Sequence, residues 1–585
     1  MAHEVAQEIV GPSEAQLARL FAEPKALISV SDKVDIGNFA GGLAELGIGT
    51  VSTGGTATAI AGAGVEVIPV EKVTGVPELF DGRVKTLHPR VHGGILADTS
   101  RAGHVSTLLK RRMPYFSVVR TDLYPFERTL ATPGVTKDQI NEQIDIGGSA
   151  LMRAAAKAHR IVVVSRHQHR SVLEWIQDGK PNEEDFLDEL AAEAFAESAD
   201  YDMGIAKWKG GRNIIGFLGR RHSDFKYGEN PWQEEASLYT KKRVEGVDID
   251  PFDVDQFTFL EGVDGRTKME KSWVGGTDMD RSLQVITHIA AAFGRNFDEL
   301  PHSAVAVKHG NPCGAAIAET LHEAAKRTIE GNTLSIHGGV MMLNGIVDEQ
   351  IANTLLWHAN DDSKPRLLDG VVAAGFTDEA RKILRREKLR LIMNPALEEL
   401  DESSLATHDR YRQVRGGFQQ QPNYTFVHDL DAPYMEYVGE WTEQQKRDAM
   451  FAAAVGGTSS NSNALTGVKE GMLIGNGVGQ QDRVGAGILS LLRTSIEVPE
   501  IEIVDGEVVV TARLDRRKLA GATMYSDSFF PFADGIQVHA KVGIGAILTS
   551  WNVQRHKDLL MEEAAANGVN VAMAPDGLTR GFGNH

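Results

Sequence analysis

The chain has 585 residues, which at about 150 residues per domain indicates about three or four domain-sized units. Its 61 basic and 80 acidic side chains give a net charge of −19, which argues against a general nucleic-acid coat but allows small anionic substrates in a local basic pocket. The single cysteine, Cys313, excludes an intrachain disulfide and a multi-thiolate zinc site.

Short predicted strands alternate with helices in the first third of the chain. A polar leader over residues 1–24 lacks the basic start and apolar run of a signal peptide, so we expect a soluble, cytoplasmic protein. The predicted strands are Ala26–Val30, Ile48–Ser52, Val65–Val70 and Ile161–Val164. The predicted helices are Val34–Leu46, Thr56–Ala63 and Glu183–Ser198. This alternation indicates βαβ units around a parallel sheet.

The composition changes near residues 205–215, where glycine and arginine become frequent. We therefore place a first domain over residues 25–208 and a second over residues 209–585, which is long enough for two subdomains. No internal repeat is visible in the second part. Its clearest predicted elements are the strands Ala304–Lys308 and Val340–Val347 and the helix Leu321–Ile329.

Two segments rich in hydroxyl groups or glycine, Ser29–Lys33 and Ser52–Thr56, follow neighbouring predicted strands. Each one opens a helix, so hydroxyls, amides and a helix N-terminus can together cradle a phosphate. A helix cap with a tight turn explains either segment alone. Two such segments at adjacent strand ends favour a ligand site, because ligands of open α/β sheets bind there.

The densest polar run of this region is Asp81–Gly94. A solvated loop is the simplest interpretation, but its His-Pro and Gly-Gly pairs fix the backbone more than an exposed loop requires. Pro89 lies between His88 and His92 and disfavours a metal site on a shared helix.

Tyr124 and Asp145 each follow an apolar run, so both side chains can face one cleft. Taken singly, each residue is more often structural.

In the second part, Lys308 and His309 end a predicted strand, and Asn311–Gly314 is predicted to form a turn. A histidine can act as a general base near neutral pH, and the lysine can neutralise an oxyanion. A surface pair without function is the alternative. The strand and the turn make a catalytic role the better interpretation.

Cys313 allows two other interpretations, a cysteine nucleophile or a deaminase-like zinc site. The zinc site needs a second cysteine three residues later, and that position is Ala316. We therefore predict a packing or turn role for Cys313.

Several strings resemble the bifunctional purine-biosynthesis family that joins an IMP cyclohydrolase to an AICAR transformylase. The strings of the first third are SVSDK, STGGT, TGVPELFDGRVKTLHPRVHGGILAD, LYPF, QIDIGG and RAAAKAH. The later strings are KYGENPWQ, VKHGNPCGA, DGVVAAGFTDEA, RGGFQQ, SNAL, IGNGVGQQDRV and SDSFFPFADGI. The resemblance covers residues 25–585. It implies an α/β protein with an N-terminal methylglyoxal synthase-like parallel-sheet domain and a C-terminal transformylase of two cytidine-deaminase-like α/β subdomains without zinc.

The resemblance implies the last two steps of de novo purine biosynthesis. A formyl group passes from 10-formyltetrahydrofolate to AICAR, and the product FAICAR closes to IMP with loss of water. The family's catalytic residues correspond here to Lys85, Tyr124, Asp145 and Lys157 for closure and to Lys308, His309 and Asn463 for transfer. Its substrate-binding positions correspond to Ser29, Ser31, Lys33, Ser52, Thr53, Gly54, Gly55, Thr56, Arg83, Thr86, Lys226, Tyr227, Arg483, Phe529, Asp534 and Arg580.

The resemblance also implies a homodimer with 10-formyltetrahydrofolate as cosubstrate and no required metal, although a monovalent cation can be bound. No nucleic-acid or membrane partner is expected. Phe529 has an equally good alternative role as a core aromatic residue.

This chain departs from the family's pattern in the transformylase half. Lys226 and Trp232 replace an arginine and a histidine, Ser335–Gly339 replaces SAFGG, and Gly456–Ser462 replaces a lysine-rich segment. The loop Thr549–Asp558 and the last residues, from Arg580 on, also differ.

These departures leave a rival hypothesis open, a cyclohydrolase whose transformylase half is altered or weakened and uses another formyl donor. A second rival is a ligand-binding regulatory module. The presence of Lys85, Tyr124, Asp145 and Lys157 opposes that second rival, because a pure binding domain does not need the set.

Overall fold

The computed structural model describes residues 11–243, 247–260, 272–360, 363–386, 389–495, 499–505, 507–532 and 534–584. The chain divides into two compact units, Met1–Arg220 with Lys241–Ile249 and Arg221–Thr240 with Asp250–His585. Over the described ranges, no helix is both long and apolar enough to cross a bilayer.

The first unit alternates short strands with helices. In chain order its elements are α1 Glu14–Phe21, β1 Lys25–Ser29, α2 Ile36–Glu45, β2 Gly49–Ser52, α3 Gly54–Gly62, β3 Val67–Pro69, α4 Val70–Thr74, α5 Pro89–Leu96, α6 Ala102–Lys110, β4 Phe116–Thr121, α7 Phe126–Leu130, α8 Lys137–Glu142, α9 Ile146–Lys157, β5 Ile161–Val163, α10 His169–Gln177 and α11 Glu183–Gly210. The four predicted strands correspond to β1, β2, β3 and β5, of which β3 is only half-buried. Strand β4 is a further buried strand that the sequence analysis did not predict.

The five strands of this unit form a parallel sheet in the order β3-β2-β1-β4-β5. The chain runs outward from β1 to β3 and then returns to the other side of β1 for β4 and β5. This reversal opens a crevice between the carboxyl ends of β1 and β4, where ligands of such sheets bind. The sequence segments singled out above follow β1, β2 and β4.

Two helices differ from the sequence-based prediction: α1 was not predicted, and α11 is longer than predicted. Helix α1 lies within the predicted leader, of which residues 1–10 fall outside the described residues. Its Leu20 is buried against Val105 and Leu108. Helix α11 continues to Gly210, through the predicted border between residues 208 and 209.

The second unit carries two similar series of elements. Its elements up to the end of the first series are β6 Arg220–Asp224, β7 Ser237–Thr240, β8 Thr258–Phe259, α12 Trp273–Phe297, β9 His302–Lys308, β10 Asn311–Ala318, α13 Leu321–Gly331, β11 Val340–Leu343, β12 Ile346–Val347, α14 Glu349–Trp357, β13 Gly370–Ala373, β14 Gly375–Phe376, α15 Asp378–Leu384 and β15 Arg390–Met393.

The chain continues with a hairpin and the second series. These elements are β16 Arg410–Val414, β17 Gly417–Gln421, β18 Glu436–Val438, α16 Glu443–Gly456, β19 Leu465–Lys469, β20 Met472–Gly477, α17 Arg483–Leu492, β21 Glu500–Val504, β22 Glu507–Thr511, α18 Arg516–Leu519, β23 Thr523–Ser526, α19 Asp534–Lys541, β24 Ala546–Trp551, α20 Gln554–Asn567, β25 Asn570–Pro575 and α21 Asp576–Thr579.

Among the described residues, twelve strands form one sheet in the order β18-β25-β24-β23-β19-β20-β10-β9-β11-β13-β15-β8. The two halves meet where β10 pairs with β20 in antiparallel fashion. The two subdomains expected from the sequence are therefore the halves of one continuous sheet. The long helices α12 and α16 pack in a shared core against it.

Candidate active sites

The crevice of the first unit contains the two hydroxyl-rich segments. The Ser29 and Thr53 hydroxyl oxygens lie 3.0 Å apart, so the segments after β1 and β2 touch. Lys33 reaches the start of α3, since a Cβ atom added to Gly55 would lie 3.3 Å from Lys33 Cε. The predicted convergence of these segments is thus present.

Lys85 lies at the same helix N-terminus. A Cβ atom added to Gly54 would lie 2.8 Å from Lys85 Nζ, and Gly54 has φ of +29°. Two lysine amines therefore flank the first turn of α3, whose free backbone amides and dipole already favour an anion. A phosphate is the ligand that such an arrangement suits.

Ser52 and Thr56, two of the predicted ligand contacts, donate hydrogen bonds within the fold. The Ser52 hydroxyl donates to the carbonyl oxygen of Ile28 at 2.7 Å, and the Thr56 hydroxyl donates to that of Val30 at 3.1 Å. Both side chains are buried. Their protons hold β1 to β2 and α3, so we assign these two hydroxyls to the fold.

Lys85 has an acidic partner that the sequence did not reveal. Its amine lies 2.8 Å from Glu78 Oε2. Tyr124 shares this environment: burial and the Asp145 charge raise the pKa of the Tyr124 phenol, while the Lys85 charge opposes them. Lys85, Tyr124 and Asp145 are therefore electrostatically coupled, as a common cleft requires.

Asp145 is the N-cap of α9. Its carboxylate accepts from the Gly148 amide at 2.7 Å, and its own amide donates to the Tyr201 hydroxyl at 2.9 Å. Burial raises the pKa of Asp145, and the hydrogen bond from Gly148 opposes that rise. Thr86 lies beside the same turn, since a Cβ atom added to Gly147 would be 3.1 Å from its hydroxyl oxygen.

The structure does not bring Lys157 to this set. Lys157 is the last residue of α9 and is exposed, whereas Asp145 precedes the first. At about 1.5 Å per residue, the helix separates the two by about 18 Å. A role for Lys157 in the same reaction stays a prediction.

Arg83 also points elsewhere. Its guanidinium contacts both carboxylate oxygens of Glu142, at 2.7 and 2.8 Å, on the exposed surface of α8. The predicted substrate contact of Arg83 would need this pair to break.

A buried network beneath the crevice was missed by the sequence analysis. Arg120 donates to His169 Nε2 at 2.9 Å and to Asp122 Oδ2 at 3.2 Å, and Asp122 Oδ1 accepts from the Ser31 amide. Burial lowers the pKa of His169 to about 4, so its ring stays neutral and accepts. The network fixes the segment after β1. The one available signal was Asp122 directly before LYPF.

In the second unit, Lys308 and His309 lie at the turn between β9 and β10. The turn has two residues, His309 (φ +52°) and Gly310 (φ +73°), and both have a left-handed backbone conformation. The predicted turn at Asn311–Gly314 is wrong, because these residues begin β10. Pro312 is accommodated at a break in the register between β10 and β9.

Lys308 and Asn311 tie this turn to its surroundings. Lys308 Nζ donates to the His337 carbonyl oxygen at 2.6 Å. Asn311 donates to the His309 carbonyl oxygen at 3.1 Å and accepts from the Asn461 amide at 3.0 Å. The loop that carries Asn463 therefore lies against the turn that carries His309.

Asn463 is held by Arg483, which also pairs with a buried aspartate, and the predicted substrate contact of Arg483 stays a prediction. Arg483 Nη2 donates to Asn463 Oδ1 at 3.1 Å, and Arg483 Nη1 pairs with Asp527. Arg483 is 8% exposed and Asp527 1%. The buried ion pair thus orients the Asn463 amide.

A cavity of about 390 Å³ adjoins the turn and includes Lys308, His309, Cys313 and Arg493 in its lining. Burial raises the pKa of the Cys313 thiol to about 12, and the thiol donates to the Ala306 carbonyl oxygen at 3.5 Å. These contacts agree with the predicted packing role of Cys313 and oppose a nucleophilic one.

Other predicted substrate contacts lie apart from this turn. Phe529 stacks on His556 with ring centroids 4.8 Å apart, and Asp534 is exposed at the start of α19. Arg580 pairs with Asp576 and faces a second cavity of about 230 Å³. Lys226 and Tyr227 lie in the loop after β6, and their contact with substrate stays a prediction.

Two departures from the family's sequence pattern have a packing explanation. A Cβ atom added to Gly457 would lie 2.8 Å from the Tyr525 hydroxyl oxygen, and one added to Gly456 would lie 2.3 Å from that of Thr466. No lysine side chain fits at either position. Ile336, in the segment that replaces SAFGG, is fully buried.

A search of the described residues finds no group of three or more His, Cys, Asp or Glu side chains placed to hold a metal ion. The two sites above contain lysine, histidine, tyrosine, aspartate and amide groups. Such groups suit proton transfer and oxyanion stabilisation.

Known proteins resemble the chain over both units. The model of the AICARFT/IMPCHase bienzyme family matches residues 155–492, and that of the MGS-like domain matches residues 35–150. The bifunctional purine biosynthesis protein PurH of Anoxybacillus flavithermus is 34% identical over 95% of this chain and 98% of that protein. PurH of a Ruegeria species is 33% identical over 95% of this chain and 98% of that protein. The crystal structure of ForH aligns over 33% of this chain and 100% of that chain, with 30% identity and a TM-score of 0.29.

The family model and these relatives cover the crevice of the first unit and the hairpin turn of the second. The chain therefore belongs to the AICARFT/IMPCHase bienzyme family.

Proposed function

We propose that this protein transfers a formyl group from 10-formyltetrahydrofolate to AICAR and then closes the product FAICAR to IMP. The observation that carries the proposal is the match to bifunctional PurH proteins over 95% of the chain, which spans both units. The rival, a cyclohydrolase with an altered transformylase half, is not favoured. Two of the departures that suggested it lie at packed positions, Gly456 and Gly457 against Thr466 and Tyr525, and Ile336 in the core.

Ring closure is assigned to the crevice of the first unit. The carboxamide nitrogen of FAICAR bonds to the formyl carbon, and the formyl oxygen leaves as water with one proton from each nitrogen. The amide is a weak nucleophile, so orientation supplies much of the rate. The helix N-terminus with Lys33 would hold the phosphate. Lys85 and Tyr124 would donate to the formyl oxygen, and Asp145 would accept the amide proton.

Formyl transfer is assigned to the hairpin turn of the second unit. The AICAR amine bonds to the formyl carbon, the carbon–nitrogen bond to the folate breaks, and the amine proton passes to the folate nitrogen. His309 would take the proton as the bond forms, because the amine is too poor a nucleophile to attack unaided. Lys308 and the Asn463 amide would stabilise the oxyanion.

The assembly and the location are further parts of the proposal. We propose a homodimer, which would give Lys157 a route to a ring-closure site on another copy. We also propose a cytoplasmic location and no metal requirement, and we leave a bound monovalent cation to direct measurement.

The test supplies the purified protein with each substrate separately. AICAR with 10-formyltetrahydrofolate should yield IMP, and FAICAR alone should also yield IMP. IMP from FAICAR alone, with none from AICAR, would contradict the proposed donor and restore the rival. IMP from neither would contradict both assigned activities.

A further inference from the structure

The two series of elements in the second unit repeat one topology. Each begins with an outer strand, β8 or β18, followed by a long helix, α12 or α16, and then a hairpin, β9–β10 or β19–β20. Three parallel strands follow in each half, β11, β13 and β15 or β23, β24 and β25. The outer strand pairs antiparallel with the last of them. The second unit is therefore an internal duplication.

The hairpin turns of the two halves have the same backbone shape. His309 and Gly310 have φ of +52° and +73°, and Glu470 and Gly471 have +51° and +75°. Lys308 precedes one turn and Lys469 the other, and each lysine amine donates to a carbonyl oxygen just before the next strand, His337 or Ala520. The strain of a left-handed residue is thus common to both turns and does not by itself mark a catalytic one.

A buried aspartate holds each turn. Asp278 of α12 is 2% exposed and accepts from the Gly310 amide at 2.7 Å. Asp448 of α16 is 3% exposed and accepts from the Gly471 amide at 2.7 Å and the Glu470 amide at 2.8 Å. The two aspartates occupy equivalent places on equivalent helices.

The halves differ in the charge that lies near each aspartate. Burial raises the pKa of Asp278, and the Gly310 amide and then the nearby His309 charge oppose that rise. Burial also raises the pKa of Asp448, but there the Glu470 charge adds to the rise. The His309 charge therefore favours the ionised form of Asp278, whereas the Glu470 charge disfavours the ionised form of Asp448. Lys308, Asp369 and Arg493 are further charged groups near the first turn.

We propose that Asp278 is the positioning residue of formyl transfer: it fixes the left-handed turn that presents His309 and stabilises the imidazolium formed when His309 takes the amine proton. The inference rests on the proposed function, in which His309 is the base. The second half supplies an internal control, because Asp448 likewise accepts from the amide of the turn's glycine, beside a turn with no histidine.

The test compares Asp278→Asn with Asp448→Asn in the full-length protein. Both changes keep the size of the side chain and remove its charge, so both should lower Tm by a similar amount. Asp278→Asn should lower kcat of formyl transfer by at least about tenfold and change KM for AICAR by less than about threefold. Asp448→Asn should leave kcat within about twofold of the wild type. Ring closure of FAICAR should be unchanged in both variants.

Asp278→Glu provides the rescue arm, since it restores the charge, and its kcat should exceed that of Asp278→Asn. Equal kcat losses in the two Asn variants, or a Glu variant no faster than the Asn variant, would overturn the proposal. If Asp278→Asn does not fold, as judged by circular dichroism, Asp278→Ser is measured in its place and judged in the same way.

Failure of the underlying function has a separate signature. His309→Ala should abolish formyl transfer, and the double variant with Asp278→Asn should be no slower than His309→Ala alone. A His309→Ala enzyme with normal formyl transfer would contradict the assignment of the base. A double variant that is clearly slower than His309→Ala would show that Asp278 acts on the reaction by another route, which contradicts the positioning role.

Discussion

Individual lysine side chains form a local basic site for an anion, although the net charge of the chain is −19. Lys33 and Lys85 lie against the first turn of α3, where free amides and the helix dipole add to their charge. Lys85 pairs with Glu78 at 2.8 Å, so its proposed donation to the formyl oxygen exchanges one partner for another. The field of the whole molecule matters less than these contacts, because screening limits charge interactions to about 10 Å.

Asp145 leads to a prediction about pH. Burial raises its pKa, and it accepts a proton only when ionised. Ring closure should therefore fall as the pH is lowered, with a midpoint above the ordinary value of about 3.9 for aspartate. Asp145→Asn should lower kcat by about 10²–10⁴ at every pH. The rate of FAICAR closure between pH 8 and 4 checks both statements, with circular dichroism as the control for folding.

Two outcomes would contradict this account of Asp145. One is a rate that stays flat down to pH 4 in folded protein. The other is an Asn variant that retains the wild-type kcat.

The N-terminus of α3 shows how an element positions chemistry. Gly54 has φ of +29°, and the space next to it is occupied by the Lys85 amine. Glycine is required there for two reasons, since a side chain would strain the backbone and displace the lysine. The same helix ends at Gly62, where an added Cβ atom meets nothing within 4 Å.

This contrast yields a matched pair of variants. Gly54→Ala should lower kcat/KM for FAICAR closure by at least about tenfold, which corresponds to about 1.4 kcal/mol. Gly62→Ala should leave closure unchanged and stabilise the first unit by up to about 1 kcal/mol, because alanine is the better helix former. Formyl transfer should be unaffected in both. The prediction is wrong if Gly54→Ala closes FAICAR at the wild-type rate.

The sequence predicted elements well where burial alone decides them. Leu27 and Ile28 of β1 are fully buried, and such apolar runs identify a strand. It failed at Asn311–Gly314, because proline and glycine are typical of turns, whereas the turn is formed two residues earlier by His309 and Gly310. It also could not show the contacts of Arg483, since a motif gives a residue's place in the chain and not its partner.

The whole molecule combines two units with separate sites, and the second unit is itself a duplication that the sequence does not display. The equivalent turns share only a lysine and a glycine around His309 or Glu470, so nothing in the sequence pattern marks the repeat. Their equivalence follows from backbone shape and from the buried aspartates behind them. The two halves thus share a backbone turn, and only the turn of the first half carries the proposed base, His309.

The central claim is that each unit carries out one of the two reactions. It is tested most directly by Lys85→Ala and His309→Ala, each assayed with AICAR plus 10-formyltetrahydrofolate and with FAICAR alone. We expect Lys85→Ala to make FAICAR but to close it at least about 10²-fold more slowly, and His309→Ala to close FAICAR normally but to form none. A mixture of the two variants should convert AICAR to IMP. If either variant loses both activities while folded, or if neither loses any, the division of chemistry between the units is contradicted.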